Sequence, residues 1–133
     1  MTECTVFVIE NDAATRQFMQ DILSDEGYVV QGCAWKAATI EAIVQAQARL
    51  LVVDLNPLEP DTILLFLMRL RQQRGLSHAR MLVTSTSSHL LSRLSEPLQH
   101  LACETMLKPF ELEDFLSQVT TLCADPLPYT VAA

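Results

Sequence analysis

The chain of 133 residues lacks any long hydrophobic run. Its longest one, residues 63–68, is far shorter than the roughly 20 apolar residues that a membrane-spanning helix needs. The N-terminus reads Met-Thr-Glu-Cys and lacks the basic start and apolar core of a signal peptide. We therefore expect a cytoplasmic protein that does not contact a membrane.

Positive charge is scarce as well, because the formal net charge is −7. Nucleic-acid binding usually needs a basic footprint, so we expect no direct nucleic-acid partner. Four arginines do lie close together in the sequence. We interpret them as cations near a helix end, where the helix dipole favours positive charge. They are Arg69, Arg71, Arg74 and Arg80.

Paired cysteine motifs are missing too. The four cysteines form no Cys-x-x-Cys pair and no Cys/His spacing typical of zinc sites. We expect single buried thiols, the usual state of isolated cysteines. The three histidines are equally scattered and are expected to be surface or packing residues. The cysteines are Cys4, Cys33, Cys103 and Cys123.

The sequence contains no internal repeat and no low-complexity segment. Half of its residues are hydrophobic, which argues against disorder. Its length suits one domain with a substantial core. We place this domain at residues 1–124. The proline-containing residues 125–133 are expected to form a tail or the start of a linker.

Short apolar runs rich in β-branched residues alternate with helical patterns. Such alternation predicts a parallel sheet with right-handed crossovers and helices on both faces. Asn11 or Asp12 can cap the first helix, and Gly27 can end it. The predicted strands are 4–9, 28–31, 50–54, 80–84 and 103–107. The predicted helices are 13–25, 35–48, 61 or 62 to 73, 87 or 88 to about 96, and 111–123.

Polar side chains follow four of these strands. Asp54 ends the third strand, Glu10 and Asn11 follow the first, Thr84 ends the fourth, and Lys108 follows the fifth. In an open parallel sheet, ligands bind outside the carboxyl ends of the strands. If the first and third strands are neighbours, these groups lie close together.

Clustered oxygen atoms of this kind suit Mg²⁺, a hard cation that keeps several waters. Such a cation offsets carboxylate repulsion and screens an incoming phosphoryl group. Asp54 could then act as a nucleophile and form an aspartyl phosphate. Thr84 would supply a hydroxyl donor and Lys108 a compact positive charge.

Each residue also has a simpler interpretation. Asp54 could be a turn residue at a strand end, and Thr84 part of a capping loop. Lys108 could be a surface lysine before a turn. Glu10 and Asp12 are favourable near a helix start on dipole grounds alone. The common position at strand ends favours a joint site.

Six short segments follow one another in order along the chain. Any one of them is a weak signal, but their combined order and spacing are specific. They are Val8-Ile9-Glu10-Asn11-Asp12, Arg16, Glu26-Gly27-Tyr28-Val29, Leu51-Val52-Val53-Asp54, Val83-Thr84-Ser85 and Lys108-Pro109-Phe110.

In these segments the chain resembles the receiver domain of two-component response regulators, over about residues 4–123. The resemblance implies a flavodoxin-like (βα)5 doubly wound parallel sheet of strand order 2-1-3-4-5. It also implies a cis Lys108–Pro109 bond. The implied site consists of Asp54 as phosphoacceptor, Glu10 and Asn11 in an acid pocket, Asn56 as a carbonyl ligand of Mg²⁺, Thr84 as switch hydroxyl and Lys108 as the phosphate-pairing lysine.

The resemblance further implies a sensor histidine kinase or phosphotransfer protein as donor and a downstream effector protein or domain as target. Such a domain turns over no outside substrate and is not an enzyme in that sense. Receivers often use the fourth helix, fifth strand and fifth helix for output. A second candidate surface is the helix around residues 63–68, whose apolar character suggests a homodimer or partner interface.

The chain also departs from the receiver pattern. Asn11 replaces the usual metal-binding aspartate, which predicts weaker Mg²⁺ binding. Thr105 replaces the aromatic residue that receivers usually carry three residues before the lysine. The loop of residues 56–62 also differs from the usual receiver sequence. These departures favour a pseudo-receiver, a phosphorylation-independent interaction module, as the alternative. A small phosphatase is less well supported, because Asn56 stands where a second catalytic acid is needed.

Overall fold

A computed structural model describes residues 4–129 and contains one parallel five-stranded sheet. The strand order is β2-β1-β3-β4-β5, which confirms the predicted doubly wound flavodoxin-like fold. The strands are Thr5–Ile9 (β1), Val29–Cys33 (β2), Leu50–Asp54 (β3), Arg80–Ser85 (β4) and Cys103–Leu107 (β5).

In the part of the chain that the structure describes, six α-helices connect and follow the strands, together with 3-10 turns at Trp35–Ala37 and Arg74–Leu76. Within residues 4–129, no helix is long and apolar enough to cross a membrane. The helices are Ala13–Asp25 (α1), Ile40–Ala46 (α2), Pro60–Gln72 (α3), Ser88–Arg93 (α4), Ser95–His100 (α5) and Leu112–Ala124 (α6).

Strand β3 lies in the middle of the sheet and is buried over its whole length. Its side chains alternate between two hydrophobic clusters, because successive residues of a strand point to opposite faces. Leu51 and Val53 belong to one cluster, and Leu50 and Val52 belong to the other. The continuous apolar run that precedes Asp54 is therefore required by helices on both faces.

Local hydrogen bonds set the helix ends close to the predicted positions. Asp12, not Asn11, caps α1, since its side chain accepts a hydrogen bond from the Thr15 amide at 2.9 Å. Gly27 follows the end of α1 with φ of 95°, a conformation that glycine adopts without steric cost. Ser87 caps α4 by accepting from the Leu90 amide.

Two predicted helices were wrong in extent. The segment 35–48 is a 3-10 turn followed by the shorter α2, which starts after Thr39 because the Thr39 side chain caps it. The predicted helix from 87 or 88 to about 96 is two helices, α4 and α5. Pro97 lies in the first turn of α5, where a missing N–H disrupts no helical hydrogen bond.

Large apolar side chains are exposed on α1 and α3. In α1, Phe18 is 55% exposed, whereas the next residue, Met19, is buried. In α3, Ile63 and Leu67 are fully buried, whereas Leu65 is 54% exposed. The helix around residues 63–68 therefore buries one apolar face and exposes further apolar side chains, Leu65 and Met68, on its outer face.

The expectation of four single thiols was wrong for two of them. Cys4, just before β1, forms a disulfide with Cys123 near the end of α6, and their Cα atoms are 5.9 Å apart. This separation lies within the usual range for disulfides. Cys33 and Cys103 are free, and burial raises the pKa of the Cys103 thiol to about 11. Sequence spacing could not reveal this disulfide, because all five strands lie between the two cysteines along the chain.

Of the arginines expected near a helix end, Arg80 begins β4, whereas Arg69 and Arg71 do lie in the last turn of α3. The Arg71 side chain is nevertheless buried, with 2% exposure. Its guanidinium donates hydrogen bonds to backbone carbonyl groups of the turns after α3 and before β5. Arg80 instead pairs with Asp125 at 3.0 Å. Arg71 is thus a buried structural residue, although its neighbours in the sequence are surface cations.

Part of the predicted tail, residues 125–133, contacts the body of the domain. Leu127 is buried, and its amide donates to the carbonyl of His78 at 3.1 Å. The His78 ring also hydrogen-bonds the Leu127 carbonyl at 2.6 Å. Residues 130–133 lie outside the described part of the chain.

Candidate functional site at the carboxyl edge of the sheet

The fold brings four of the predicted site residues to one edge of the sheet. Asp54 lies opposite Thr84 in the register of β3 and β4. Glu10 directly follows β1, and Lys108 directly follows β5. Because parallel strands end at the same edge, residues from four separate segments meet there.

Asp54 is buried with 4% exposure, and its two carboxylate oxygens have different surroundings. Oδ1 accepts a hydrogen bond from the Thr84 hydroxyl at 2.8 Å and lies 3.0 Å from the Lys108 ammonium nitrogen. Oδ2 accepts a single long hydrogen bond from the described residues, at 3.3 Å from the Asn56 amide. One oxygen is therefore held by two donors, while the other keeps lone pairs for an incoming group.

Lys108 lies between two acidic side chains. Its ammonium group donates to Glu10 Oε1 and pairs with Asp54 Oδ1. Burial by itself lowers the pKa of Lys108, but the hydrogen bonds and charges of Glu10 and Asp54 outweigh it and raise this pKa above its ordinary value. The lysine therefore stays charged and offsets part of the repulsion between the two carboxylates.

This arrangement predicts a pH-dependent contribution to stability. Lys108→Met should lower the free energy of unfolding by about 2 kcal/mol near neutral pH, because charge-assisted hydrogen bonds are lost. The pKa of Lys108 is higher in the folded state than its ordinary value of 10.5. The stabilisation by Lys108 is therefore complete at pH values below 10.5 and is lost as the pH rises through the folded-state pKa.

Urea denaturation of the wild type and of Lys108→Met, from neutral to strongly alkaline pH, measures the difference between their free energies of unfolding. This difference should become smaller only in the alkaline range. Lys36→Met is the matched control, because Lys36 is the other lysine of the chain and is exposed. An equal loss of stability in both variants would contradict the prediction.

Backbone contacts fix the position of Glu10. Its Oε2 accepts a hydrogen bond from the Asp12 amide at 3.2 Å. Arg16 donates from its guanidinium to the Glu10 carbonyl at 2.7 Å. Arg16 of α1 thus holds the backbone that carries Glu10.

The two asparagines have different places. The Asn56 amide contacts Asp54, and the Asn56–Pro57 bond is cis. The Asn11 side chain points to the turn after β2, where its Oδ1 accepts a hydrogen bond from the Trp35 amide at 2.9 Å. The Lys108–Pro109 bond is also cis, as the resemblance predicts.

The carboxylate oxygen atoms at this edge of the sheet are suitable ligands for a hard cation, but the site carries little net negative charge. Asp54 Oδ2 and Glu10 Oε2 each accept one long hydrogen bond, so both carboxylates retain an oxygen that can coordinate. Lys108 balances one of the two negative charges. In the described part of the chain, no group of three or more His, Cys, Asp and Glu side chains is arranged as a metal site.

Trp35 is a site residue that the sequence did not reveal. Its indole Nε1–H donates to the Asp54 backbone carbonyl at 2.8 Å, and its ring meets Phe66 of α3 edge to face at 5.1 Å. The periodicity assigned Trp35 to a helix, and no motif marked it. The only signal in the sequence was that it is the single tryptophan of the chain.

Solved structures of similar shape include the chemotaxis response regulator CheY4 of Vibrio cholerae. It superposes with a TM-score of 0.77 over 91% of this chain and 99% of that chain, at 20% sequence identity. A response regulator from Thermotoga maritima gives a TM-score of 0.75 over 93% of this chain and 100% of that one, again at 20% identity. The chain has the receiver fold.

Another protein with the receiver fold, TrrA of Thermotoga maritima, was solved in complex with Mg²⁺ and BeF. It shares 17% identity with this chain and a TM-score of 0.72, and the match covers 90% of this chain and 98% of TrrA. No protein-family model matches the sequence, and no curated protein matches it. These similarities establish the receiver fold.

Proposed function

We propose that the protein is a response-regulator receiver in which Asp54 accepts a phosphoryl group. The donor is a phosphohistidine of a sensor histidine kinase or phosphotransfer protein. A carboxylate oxygen of Asp54 forms a bond to phosphorus, and the bond between phosphorus and the histidine nitrogen breaks. The new charge then changes the surface presented to an effector protein or domain.

The observation that carries this proposal is the unequal environment of the Asp54 carboxylate. Thr84 and Lys108 hold Oδ1, so the carboxylate has a fixed orientation at the rim of the sheet. Among residues 4–129, only the Asn56 amide donates a hydrogen bond to Oδ2. The same hydroxyl and ammonium groups are placed to neutralise the charge of a phosphoryl group on Asp54.

Mg²⁺ is part of the proposal. Glu10, Asp54 and the Asn56 carbonyl would hold it, and Asn11 would join when its bond to Trp35 opens. When bound, the cation neutralises charge on the transferring phosphoryl group. We expect weak binding, because Asn11 contributes no charge and Lys108 already pairs with both acids.

Small phosphodonors provide the direct test. The full chain, incubated with Mg²⁺ and acetyl phosphate, should gain the mass of one phosphoryl group. Asp54→Asn should abolish the gain, because an amide is not a comparable nucleophile. Asp61→Asn is the matched control, since Asp61 is an exposed acid at the start of α3 and should leave the adduct intact.

The same experiment distinguishes the proposed receiver from the alternative function. A pseudo-receiver, acting as an interaction module without phosphorylation, is favoured by one observation: the Asn11 oxygen is directed to Trp35 and not to the acids. Such a protein would show no adduct and no response to beryllofluoride. That pair of results would overturn the proposed phosphorylation.

Several further properties belong to the same proposal. The receiver occupies residues 1–124, residues 125–133 form a tail or linker, and the protein is cytoplasmic and not an enzyme acting on outside substrates. We also retain the prediction of a homodimer or partner contact on the outer face of α3. Its physical basis is the exposure of Leu65 and Met68.

A further inference from the structure

Trp35 connects three segments around the phosphoacceptor. Its amide donates to the Asn11 side chain in the loop after β1, at 2.9 Å. Its indole N–H donates to the carbonyl of Asp54 at the end of β3, at 2.8 Å. Its ring packs edge to face against Phe66 of α3. The backbone amide and the half-buried side chain of this one residue therefore join both central strand ends to a helix.

The Asp54 carbonyl lies where the sheet no longer supplies partners on the β1 side. The pairing of β1 with β3 ends at Ile9 and Val53, and Glu10, which directly follows β1, turns toward Lys108. A buried carbonyl without a donor is costly. The Trp35 indole supplies that donor and so fixes the peptide group of the residue that carries the carboxylate.

We propose that Trp35 is a positioning residue for Asp54, and that Asn11 acts by holding Trp35 in place. The inference rests on the proposed phosphorylation of Asp54. It assigns Asn11 a function that the sequence did not suggest, because its side-chain oxygen accepts from Trp35 and keeps the turn after β2 over the site. Trp35 itself touches only the Asp54 backbone, so it acts through the orientation of the carboxylate.

The holding role of Asn11 can be measured without metal or phosphodonor. The chain has one tryptophan, so an NMR spectrum of the ¹⁵N-labelled protein contains one indole N–H signal. Its hydrogen exchange should be slow in the wild type. Asn11→Ala should speed it about tenfold, corresponding to the loss of one hydrogen bond. Asn11→Asp keeps an acceptor for the Trp35 amide and should restore slow exchange.

If Asn11 were only a metal ligand, Asn11→Ala would leave indole exchange unchanged in the absence of Mg²⁺. That result would overturn the role assigned to Asn11.

The positioning role is measured by the kinetics of adduct formation. Trp35→Phe keeps an aromatic ring against Phe66 but removes the indole N–H. The rate at saturating acetyl phosphate should fall about three- to tenfold, the effect of one neutral hydrogen bond. The half-saturating donor concentration should stay the same, because Trp35 does not contact the donor.

Phe66→Leu is the matched control, since it removes the ring contact and leaves both hydrogen bonds of Trp35 in place. It should stay within about twofold of the wild-type rate. A Trp35→Phe variant with the wild-type rate would overturn the positioning role. A wild-type chain that forms no adduct would overturn the proposed function and the positioning role together, while indole exchange would still decide whether Asn11 holds Trp35.

Discussion

Replacing Arg71 by alanine is expected to lower the free energy of unfolding by about 3–5 kcal/mol. The guanidinium is buried and donates to the Leu101 carbonyl at 2.9 Å and to the Leu76 carbonyl at 3.2 Å. It also bonds to the carbonyls of Ala79 and Ala102. Removing it leaves buried acceptors without donors and creates a cavity in the core.

The contacts of Arg71 explain the size of the expected effect. They tie the end of α3 to the start of β4 and to the turn before β5, where Ala102 has φ of 57°. Within residues 4–129, no carboxylate lies within 4.0 Å of the guanidinium, so backbone carbonyls alone satisfy its charge. Burial accordingly lowers the pKa of Arg71 from its ordinary value.

Urea denaturation of Arg71→Ala and Arg71→Met separates the two sources of this cost. Methionine fills most of the space but donates no hydrogen bond, so it should recover only the cavity contribution. Arg74→Ala is the control, because Arg74 is exposed and should change stability by no more than about 0.5 kcal/mol. Wild-type stability in Arg71→Met would show that the carbonyl contacts contribute little.

Reduction of the Cys4–Cys123 disulfide is expected to lower the free energy of unfolding by about 3–4 kcal/mol. The bond joins residues separated by 119 positions, so it closes nearly the whole described chain into one loop. In the chain-entropy model, a loop of this length strongly restricts the unfolded state. Total stabilities of about 5–15 kcal/mol are typical of such domains, so this loss is a large part of the whole.

Denaturation with and without dithiothreitol measures the effect, and Cys123→Ser should match the reduced wild type. Cys103→Ser is the control for thiol chemistry, because Cys103 is buried and free. It should leave the response to dithiothreitol intact. If alkylation of the unfolded, unreduced protein labels all four cysteines, the disulfide is absent and the prediction fails. Since disulfides are rare in reducing compartments, the same measurement tests the expected cytoplasmic location.

The sequence predicted the fold because strand and helix periodicities are local properties. The run before Asp54 has the continuous apolar character of a strand buried on both faces, and β3 has that environment. Element ends were less predictable. Thr39 caps α2, and Pro97 lies in the first turn of α5. The sequence allows several starting residues for each of these helices, and tertiary packing decides which of them is used.

The site was predictable in part for the same reason. Residues at the carboxyl ends of parallel strands meet at one edge, so Asp54, Thr84 and Lys108 lie together. The direction of the Asn11 side chain was not predictable, because it depends on a turn that brings Trp35 beside it from another strand. Arg16 likewise contacts Glu10 through the geometry of the loop before α1.

The sequence by itself determined the alternation of strands and helices, the order of the parallel sheet through the receiver resemblance, and the types of side chain at its carboxyl edge. Backbone periodicity and strand polarity act locally, so a linear pattern carries them. Only the tertiary structure decided that Cys4 bonds to Cys123, that Arg71 is buried among carbonyls, and that Trp35 holds the Asp54 backbone. These contacts join residues far apart in the chain, and their distances depend on how all the helices pack against the sheet.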